Sequence, residues 1–211
     1  MAEKYQGKSM AKSSRFVAYL KKMDPSGLSR VEERIEFYVE DNKEYCDKGN
    51  YRHLCNIFTS MALNDVLTGS GLSTEKAEGI VFETMYAYMQ RQKRKFQRLA
   101  AYGWFWPLIK KIVPVGFKKG SGVGWKYTWH KEAPKNEFRF ECNQCIYRPI
   151  FQKYGLERFG PKFCYNDIIV YGELPRTDFI RTKTLSRGDE VCDFRFIRHR
   201  KKETFKRSES V

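Results

Sequence analysis

The sequence has no run of about 18 apolar residues, so no helix is predicted to cross a membrane. The first fifteen residues also lack the apolar segment of a secretory signal. Without such a signal, the six cysteines are expected to stay reduced, as core residues, nucleophiles or metal ligands rather than disulfides. The protein is therefore expected to be cytoplasmic.

The sequence also lacks the motifs of nucleic-acid-binding proteins and of phosphate-binding loops. No DNA- or RNA-binding signature accompanies the formal charge of +15, and residues 1–22 and 198–211 carry +5 and +4 of it. These basic ends are interpreted as solvated, with no specific nucleic-acid partner. Gly116–Gly124 follows no predicted strand and lacks the spacing of a phosphate loop, so it is predicted to be a hinge.

Aromatic residues are abundant at 16% of the chain, which predicts a core or pocket built largely from rings. Helical spacing predicts helices over residues 9–22, 30–47, from about 51 to Gly69, and from Ser73 into a basic cluster at 91–98. Ser29-Arg30-Val31-Glu32 has the form of a capping box for the second of these.

Alternating apolar residues follow the glycine-rich stretch and predict strands. Trp125, Tyr127 and Trp129 share one face of a strand, and Phe138, Phe140 and Cys142 share one face of the next. Helices are predicted over 147–154 and 162–171. A second hairpin is predicted over 179–185 and 191–197, with its turn at Arg187-Gly188-Asp189. The fold class is therefore α+β, with a helical N-terminal half packed on a small antiparallel sheet formed by two hairpins flanking two helices.

The predicted organisation has four segments. Residues 1–28 form a basic N-terminal segment, 29–115 the helical part, 116–197 the α+β part that carries the site, and 198–211 a basic tail. The two middle segments are expected to form one domain.

One aromatic stretch, Trp104–Val115, has two interpretations. It resembles a membrane-surface segment with Lys110 and Lys111 at the headgroups, or a buried connector above a pocket. Pro107 and Pro114 interrupt a continuous amphipathic helix, so the connector is predicted and membrane contact is not expected.

Four of the six cysteines lie in the last third of the chain. Cys142 and Cys145 resemble half of a zinc site, with Cys164 and Cys192 as further ligands, although a second close pair is lacking. Burial is the default for Cys192, which alternates with phenylalanines.

Cys145 and Cys164 are predicted to lie at helix starts, where free N–H groups lower a thiol's pKa and favour a nucleophile. Asp167 follows Cys164 by one turn on the same face. Arg181 and Asp193 are predicted to face each other across the last hairpin.

Several of these residues together form a familiar pattern. It consists of Glu141-x3-Cys145-x-Tyr147, Gly155-Leu156, Phe163-Cys164-x2-Asp167, Arg181-Thr182-x-Thr184-Leu185, Gly188-Asp189 and Cys192-Asp193-Phe194-Arg195-Phe196. The pattern resembles the L-2-amino-thiazoline-4-carboxylic acid hydrolase family over residues 136–197. Its closing Gly-Asp-x2-Cys-x-Phe segment is also similar to ligand-binding domains of the 4-vinyl-reductase type.

The resemblance implies hydrolytic opening of a cyclic isothiourea to an N-carbamoyl-cysteine. Attack would come from a cysteine thiolate, with Cys164 favoured and Cys145 the alternative, or from water activated by a carboxylate. Asp167 or Asp193 would stabilise the protonated amidine. Arg181 would bind a substrate carboxylate, with Thr182 and Cys192 also lining the site. The chain departs from the family pattern at Cys142, an additional cysteine just before the matched Cys145.

Two alternatives remain at this stage. The same pocket could bind a small molecule without turnover, or the cysteines could form a zinc or redox-thiol site. The preferred hypothesis is a hydrolase with a small-molecule substrate and no cofactor, zinc being the alternative, in a chain that could form a homo-oligomer.

Overall fold

The computed structural model describes residues 2–199 and confirms the α+β class. It consists of two compact units. Of the described residues, the first unit comprises those up to Tyr88 together with Gly120–Val123, and the second comprises Met89–Lys119 with those from Gly124 onward. The predicted basic tail lies, from residue 200 on, outside the described residues. No helix among the described residues is long and apolar enough to cross a bilayer.

The first unit is helical. Its elements are a 3-10 helix Ala2–Tyr5, α1 (Gly7–Ser13), α2 (Val17–Leu20), α3 (Pro25–Glu40), a 3-10 helix Lys43–Tyr45, α4 (Tyr51–Gly69) and the beginning of α5 (Thr74–Ala100). Helix α4 is buried along most of its length, from Leu54 to Leu67. The residues of α3 that pack inward are Val31, Ile35 and Tyr38, at the predicted helical spacing.

Two helix boundaries in this unit differ from the sequence prediction. The predicted helix 9–22 is broken because the Ser14 hydroxyl donates to the Ala11 carbonyl and accepts from the Phe16 N–H. Helix α3 begins at Pro25 rather than after Ser29, because Asp24 caps it by accepting from the Gly27 N–H at 2.9 Å. A proline suits this first position, where its missing N–H would have had no intrahelical partner.

The second unit combines helices with the sheet. After the end of α5 come α6 (Phe105–Gly120), β1 (Lys126–Trp129), β2 (Glu137–Gln144), α7 (Tyr147–Lys153), α8 (Phe159–Tyr171), β3 (Thr177–Ile180), a 3-10 helix Leu185–Arg187 and β4 (Cys192–Arg198). The strands form an antiparallel sheet in the order β1-β2-β4-β3. The two predicted hairpins are therefore joined through β2 and β4, which pair from Glu137↔Ile197 to Cys142↔Cys192.

Rings fill the core of this sheet, as the composition predicts. Phe140 and Phe194 stack across the central pair with centroids 4.6 Å apart and planes 5° from parallel. Phe196 continues the layer against Phe179 at 4.9 Å. Offset or stacked pairs of this kind add to the burial energy of the rings and fix the register of β2 against β4.

The predicted connector at Trp104–Val115 is wrong, because α6 is one continuous helix. Pro107 lies in its first turn, where the absent N–H costs nothing. Pro114 lies inside the helix and removes one backbone hydrogen bond. Packing against the sheet offsets that loss, since the Phe117 ring contacts Tyr127, Trp129 and Phe140. The predicted hinge from Gly116 is likewise helical as far as Gly120.

Candidate functional site

Helix α8 carries two of the predicted site residues on one face. Cys164 is the sixth residue of the helix and Asp167 follows one turn later. The helix begins at Phe159, three residues earlier than predicted. The expectation that Cys164 lies at a helix start is therefore wrong, and the free N–H groups of the first turn are not its neighbours.

Arg181 joins that face of α8 to the chain that leaves β3. Its Nη1 forms an ion pair with Asp167 Oδ2 at 2.7 Å, and its Nη2 donates to the Cys164 carbonyl at 2.9 Å. The Arg181 side chain is 5% exposed and that of Asp167 is 36% exposed. The guanidinium lies 5.7 Å from the Phe194 ring centroid. Arg181 is thus bound to helix α8 by two contacts, while Asp167 remains partly exposed to solvent.

Two neighbouring residues of the 3-10 helix hold two cysteine sulfurs. The Ser186 hydroxyl donates to Cys164 Sγ at 3.2 Å, and the Leu185 N–H donates to Cys192 Sγ at 3.2 Å. The close approach depends on Gly160, because a Cβ at that position would lie 2.9 Å from the Ser186 Cβ. Helix α8 can therefore approach the 3-10 helix this closely only because Gly160 has no side chain.

The thiol of Cys164 is acidified by this arrangement. The hydrogen bond from the Cys192 thiol lowers the pKa of Cys164 from 9.0 to about 7, aided by the Ser186 hydroxyl and the Arg181 charge and opposed by burial and Asp167. Cys192 has its pKa raised because its proton is held in that same hydrogen bond and because it is buried. Near neutral pH Cys164 is therefore partly ionised, while Cys192 remains a thiol.

The pKa of Cys145 is shifted in the opposite direction. It does precede a helix, α7, and the Tyr147 N–H lowers its pKa. That effect is overcome by the hydrogen bond with Cys142 and by burial, which together raise the pKa of Cys145 well above its usual value. The predicted activation of Cys145 by a helix start is therefore wrong. The two cysteines proposed as nucleophiles are distinguished by their neighbours, not by their position on a helix.

All four cysteines of the last third lie near one another. Cys142 and Cys192 are directly opposed on β2 and β4 and pack in one buried cluster with Leu185, against which Cys145 also packs. Within residues 2–199, no group of three or more cysteine, histidine or acidic side chains is placed to hold a metal ion. The thiols interact with one another through hydrogen bonds instead.

The predicted pair of Arg181 and Asp193 does not form. Strand β3 ends at Ile180, opposite Arg195, so Arg181 leaves the ladder and turns toward α8. Asp193 accepts hydrogen bonds from the Thr182 N–H at 2.9 Å, the Thr182 hydroxyl at 2.8 Å and the Lys183 N–H at 2.6 Å. These contacts fix the start of the segment that leads to Ser186.

The structure thus brings Cys164, Asp167 and Arg181 together, with Cys192 beside them. Thr182 and Asp193 form a separate hydrogen-bonded unit in the adjoining loop. Sequence reasoning missed Ser186 and Gly160. Their one sequence signal is that each adjoins a quoted motif: Ser186 follows Arg181-Thr182-x-Thr184-Leu185, and Gly160 lies shortly before Phe163-Cys164.

Comparison with known proteins identifies one family. The family model described as L-2-amino-thiazoline-4-carboxylic acid hydrolase matches residues 51–196, from the first turn of α4 to β4. The match therefore extends well upstream of the 136–197 stretch that carries the sequence pattern. No curated protein and no solved structure matches the chain. Since the matched region is most of the 211 residues and contains every residue of the site, the chain belongs to the L-2-amino-thiazoline-4-carboxylic acid hydrolase family.

Proposed function

We propose that this protein is a hydrolase that opens a cyclic amidine or isothiourea such as 2-amino-thiazoline-4-carboxylate, with Cys164 as nucleophile. The observation that carries the proposal is the lowered pKa of Cys164 beside Asp167, one helical turn away. A thiol with a pKa of about 7 is substantially ionised at neutral pH and still a strong nucleophile.

The proposed reaction has two steps. The Cys164 thiolate attacks the ring carbon that lies between two nitrogens and sulfur, and the bond from that carbon to the ring sulfur breaks. The departing sulfur takes a proton and becomes the thiol of the opened chain, which leaves an isothiouronium on Cys164. Water then adds to the same carbon, the bond to Cys164 breaks, and the product is an N-carbamoyl amino acid with one water added overall.

Asp167 is the proposed electrostatic partner of the substrate. An amidine becomes electrophilic when protonated, and a carboxylate beside it stabilises the positive charge. The ion pair with Arg181 fixes the orientation of Asp167, and the side chain of Asp167 is 36% exposed, so a substrate N–H can reach it. Asp193 is less suited to this role, because its two oxygens already accept three hydrogen bonds from Thr182 and Lys183.

Arg181 is proposed as a positioning residue. Both of its bonded nitrogens are engaged within the protein, and its side chain is almost entirely buried, so direct binding of a substrate carboxylate would require it to leave Asp167. Thr182 contributes through its bonds to Asp193, which hold the loop that presents Ser186. Cys192 is proposed to remain protonated and to donate its S–H to the Cys164 thiolate.

The test measures turnover by the purified full chain. The protein is incubated with 2-amino-thiazoline-4-carboxylate, and the released thiol and the N-carbamoyl product are quantified. Cys164→Ser is expected to abolish turnover, while Cys55→Ser, a matched change of a buried cysteine in α4, retains it. Turnover that survives in Cys164→Ser would disprove the nucleophile assignment. Wild-type protein that shows a raised Tm with this compound but no product would instead be a ligand-binding domain.

A further inference from the structure

Helix α6 is apolar on two opposite faces, only one of which is covered. The inward face is docked on the sheet through Phe117, whose ring centroid lies 5.0 Å from that of Tyr127. Polar contacts add to this docking, since Lys110 Nζ donates to the Glu137 carbonyl at 2.8 Å and Trp106 Nε1 to the Lys135 carbonyl at 3.4 Å. This face of the helix is therefore fixed within the second unit.

The outward face presents a row of large apolar side chains at helical spacing. Leu108 lies nine residues before Phe117, which places it half a turn away, on the opposite side of the helix. The row, here called the α6 stripe, consists of Trp104 (51% exposed), Leu108 (40%), Ile112 (54%) and Val115 (53%). Tyr102, 58% exposed, stacks on Trp104 with centroids 5.8 Å apart. Contiguous apolar exposure of this kind marks an interaction surface.

The charge around the stripe has a single sign. No Asp or Glu occurs between Glu83 and Glu132, whereas eleven Lys and Arg do. Lys111 and Lys119 are exposed and lie beside or in line with the stripe, and Arg94 and Lys95 are exposed near the end of α5. Whatever covers the stripe must accept an apolar contact surrounded by positive charge, so its own surface must be apolar and negatively charged.

We propose that the α6 stripe binds the surface of an anionic lipid bilayer, with helix α6 lying in the plane of the headgroups. An interfacial helix combines one apolar face containing Trp and Leu with flanking Lys and Arg that attract anionic lipids. The stripe and its flanking lysines have this composition. Exposed Tyr102 and Trp104 fit the preference of amphipathic rings for the membrane–water boundary.

Two other occupants fit less well. A second copy of the chain would bring the same lysines opposite each other, and like charges across an interface are unfavourable. A protein that binds a basic helix by enclosing it needs access to the whole circumference of the helix. The docking of Phe117 and Lys110 on the sheet prevents that access. A bilayer needs only the outward face.

The test is co-sedimentation of the purified full chain with lipid vesicles. We expect binding to vesicles of phosphatidylcholine with phosphatidylserine, little binding to phosphatidylcholine alone, and weaker binding at high salt. The double substitution Leu108→Ser/Ile112→Ser is expected to weaken binding about tenfold or more, because it removes two of the four apolar side chains of the stripe. Val123→Ser, at another exposed apolar position (58%), is the control and retains wild-type binding.

The contribution of positive charge to vesicle binding is tested with two matched double substitutions. Lys111→Glu/Lys119→Glu is expected to abolish binding, while Lys21→Glu/Lys22→Glu, with the same charge change at exposed positions far along the chain, reduces it much less. Trp104→Phe changes an exposed ring just before α6 and is expected to leave the fold intact. It should remove the blue shift of tryptophan fluorescence on binding. Circular dichroism is used to check that each variant is folded.

Three results would overturn the proposal. One is vesicle binding that is unchanged in Leu108→Ser/Ile112→Ser, which would assign binding to the basic ends. Another is the absence of binding to either vesicle. The third is a dimer in sedimentation velocity that dissociates when the stripe is substituted, which would identify a second copy as the occupant.

Discussion

Ser186 donates a hydrogen bond to the sulfur of Cys164 across 3.2 Å, although 22 residues separate the two in the chain. The Thr184 hydroxyl lies 3.3 Å from the Ser186 hydroxyl and extends the network. Because the bond is made to the ionised sulfur, it favours the thiolate over the thiol. The position of Ser186 thus connects the loop after β3 to the reactivity of α8.

Ser186→Ala is expected to raise the pKa of Cys164. A hydrogen bond to a charged acceptor contributes about 1.5–3 kcal/mol, which corresponds to a shift of about one to two pH units. The measurement is the rate of alkylation of Cys164 by iodoacetamide as a function of pH. Ser73→Ala, which alters a hydroxyl that caps α5, is the control and leaves the profile unchanged. If the rate of Cys164 alkylation depends on pH in the same way in Ser186→Ala and Ser73→Ala, Ser186 does not lower the pKa of Cys164.

Arg181→Met is expected to destabilise the protein, because it removes the ion pair with Asp167 and the hydrogen bond to the Cys164 carbonyl. Removing one partner of a buried pair costs about 3–5 kcal/mol, and the partial exposure of Asp167 reduces the expected loss to about 2 kcal/mol. Urea unfolding measures it. Lys183→Met, which breaks the exposed pair with Glu190, should have little effect. Equal stability of the two variants would contradict the structural role of Arg181.

Gly160→Ala tests the close approach of α8 to the 3-10 helix. The new Cβ would lie 2.9 Å from the Ser186 Cβ, so one backbone segment must move, and such overpacking costs about 1–3 kcal/mol. The same displacement is expected to weaken the bond from Ser186 to Cys164 and slow alkylation at neutral pH. Gly79→Ala in α5 meets no atom within 4 Å and should instead stabilise the helix by about 0.5–1 kcal/mol. Destabilisation of both variants alike would count against a specific steric effect.

His53 provides a prediction for pH dependence in the first unit. Burial, with a smaller contribution from the Arg15 charge, lowers the pKa of His53 from 6.5 to about 4. The unfolded chain therefore binds a proton near pH 6.5 that the folded protein does not accept until about pH 4. Stability is complete above pH 6.5 and falls as the pH drops toward 4, by about 3 kcal/mol at most. His53→Gln should flatten this slope in urea unfolding between pH 7 and pH 4, and an unchanged slope would refute the assignment.

The elements of the fold were more predictable than their boundaries. Alternation at Phe138 and Phe140 correctly indicated a strand, and helical spacing at Val31 and Ile35 correctly indicated α3. Prolines misled the prediction for residues 104–115. Pro107 and Pro114 suggested breaks, yet Pro107 lies in the first turn of α6, where its missing N–H has no intrahelical partner, and Pro114 lies inside the continuous helix.

The candidate site was predictable in composition and less so in its contacts. Cys164 and Asp167 could be placed together because helical spacing is local. The partner of Arg181 could not be inferred, because it depends on where β3 ends, at Ile180 rather than further along. Ser186 reaches Cys164 through tertiary packing against Gly160, and no local pattern encodes that distance.

The central claim is that Cys164 is an activated thiolate, and its titration in the native protein tests this most directly. The full chain is alkylated with iodoacetamide across pH 5 to 10, and the modified peptide of each cysteine is quantified by mass spectrometry. We expect alkylation of Cys164 to be half-maximal near pH 7, whereas Cys46, whose pKa burial raises to about 11, should react only at much higher pH. Half-maximal alkylation of Cys164 at pH 9 or above would show that Cys164 is not an activated thiol.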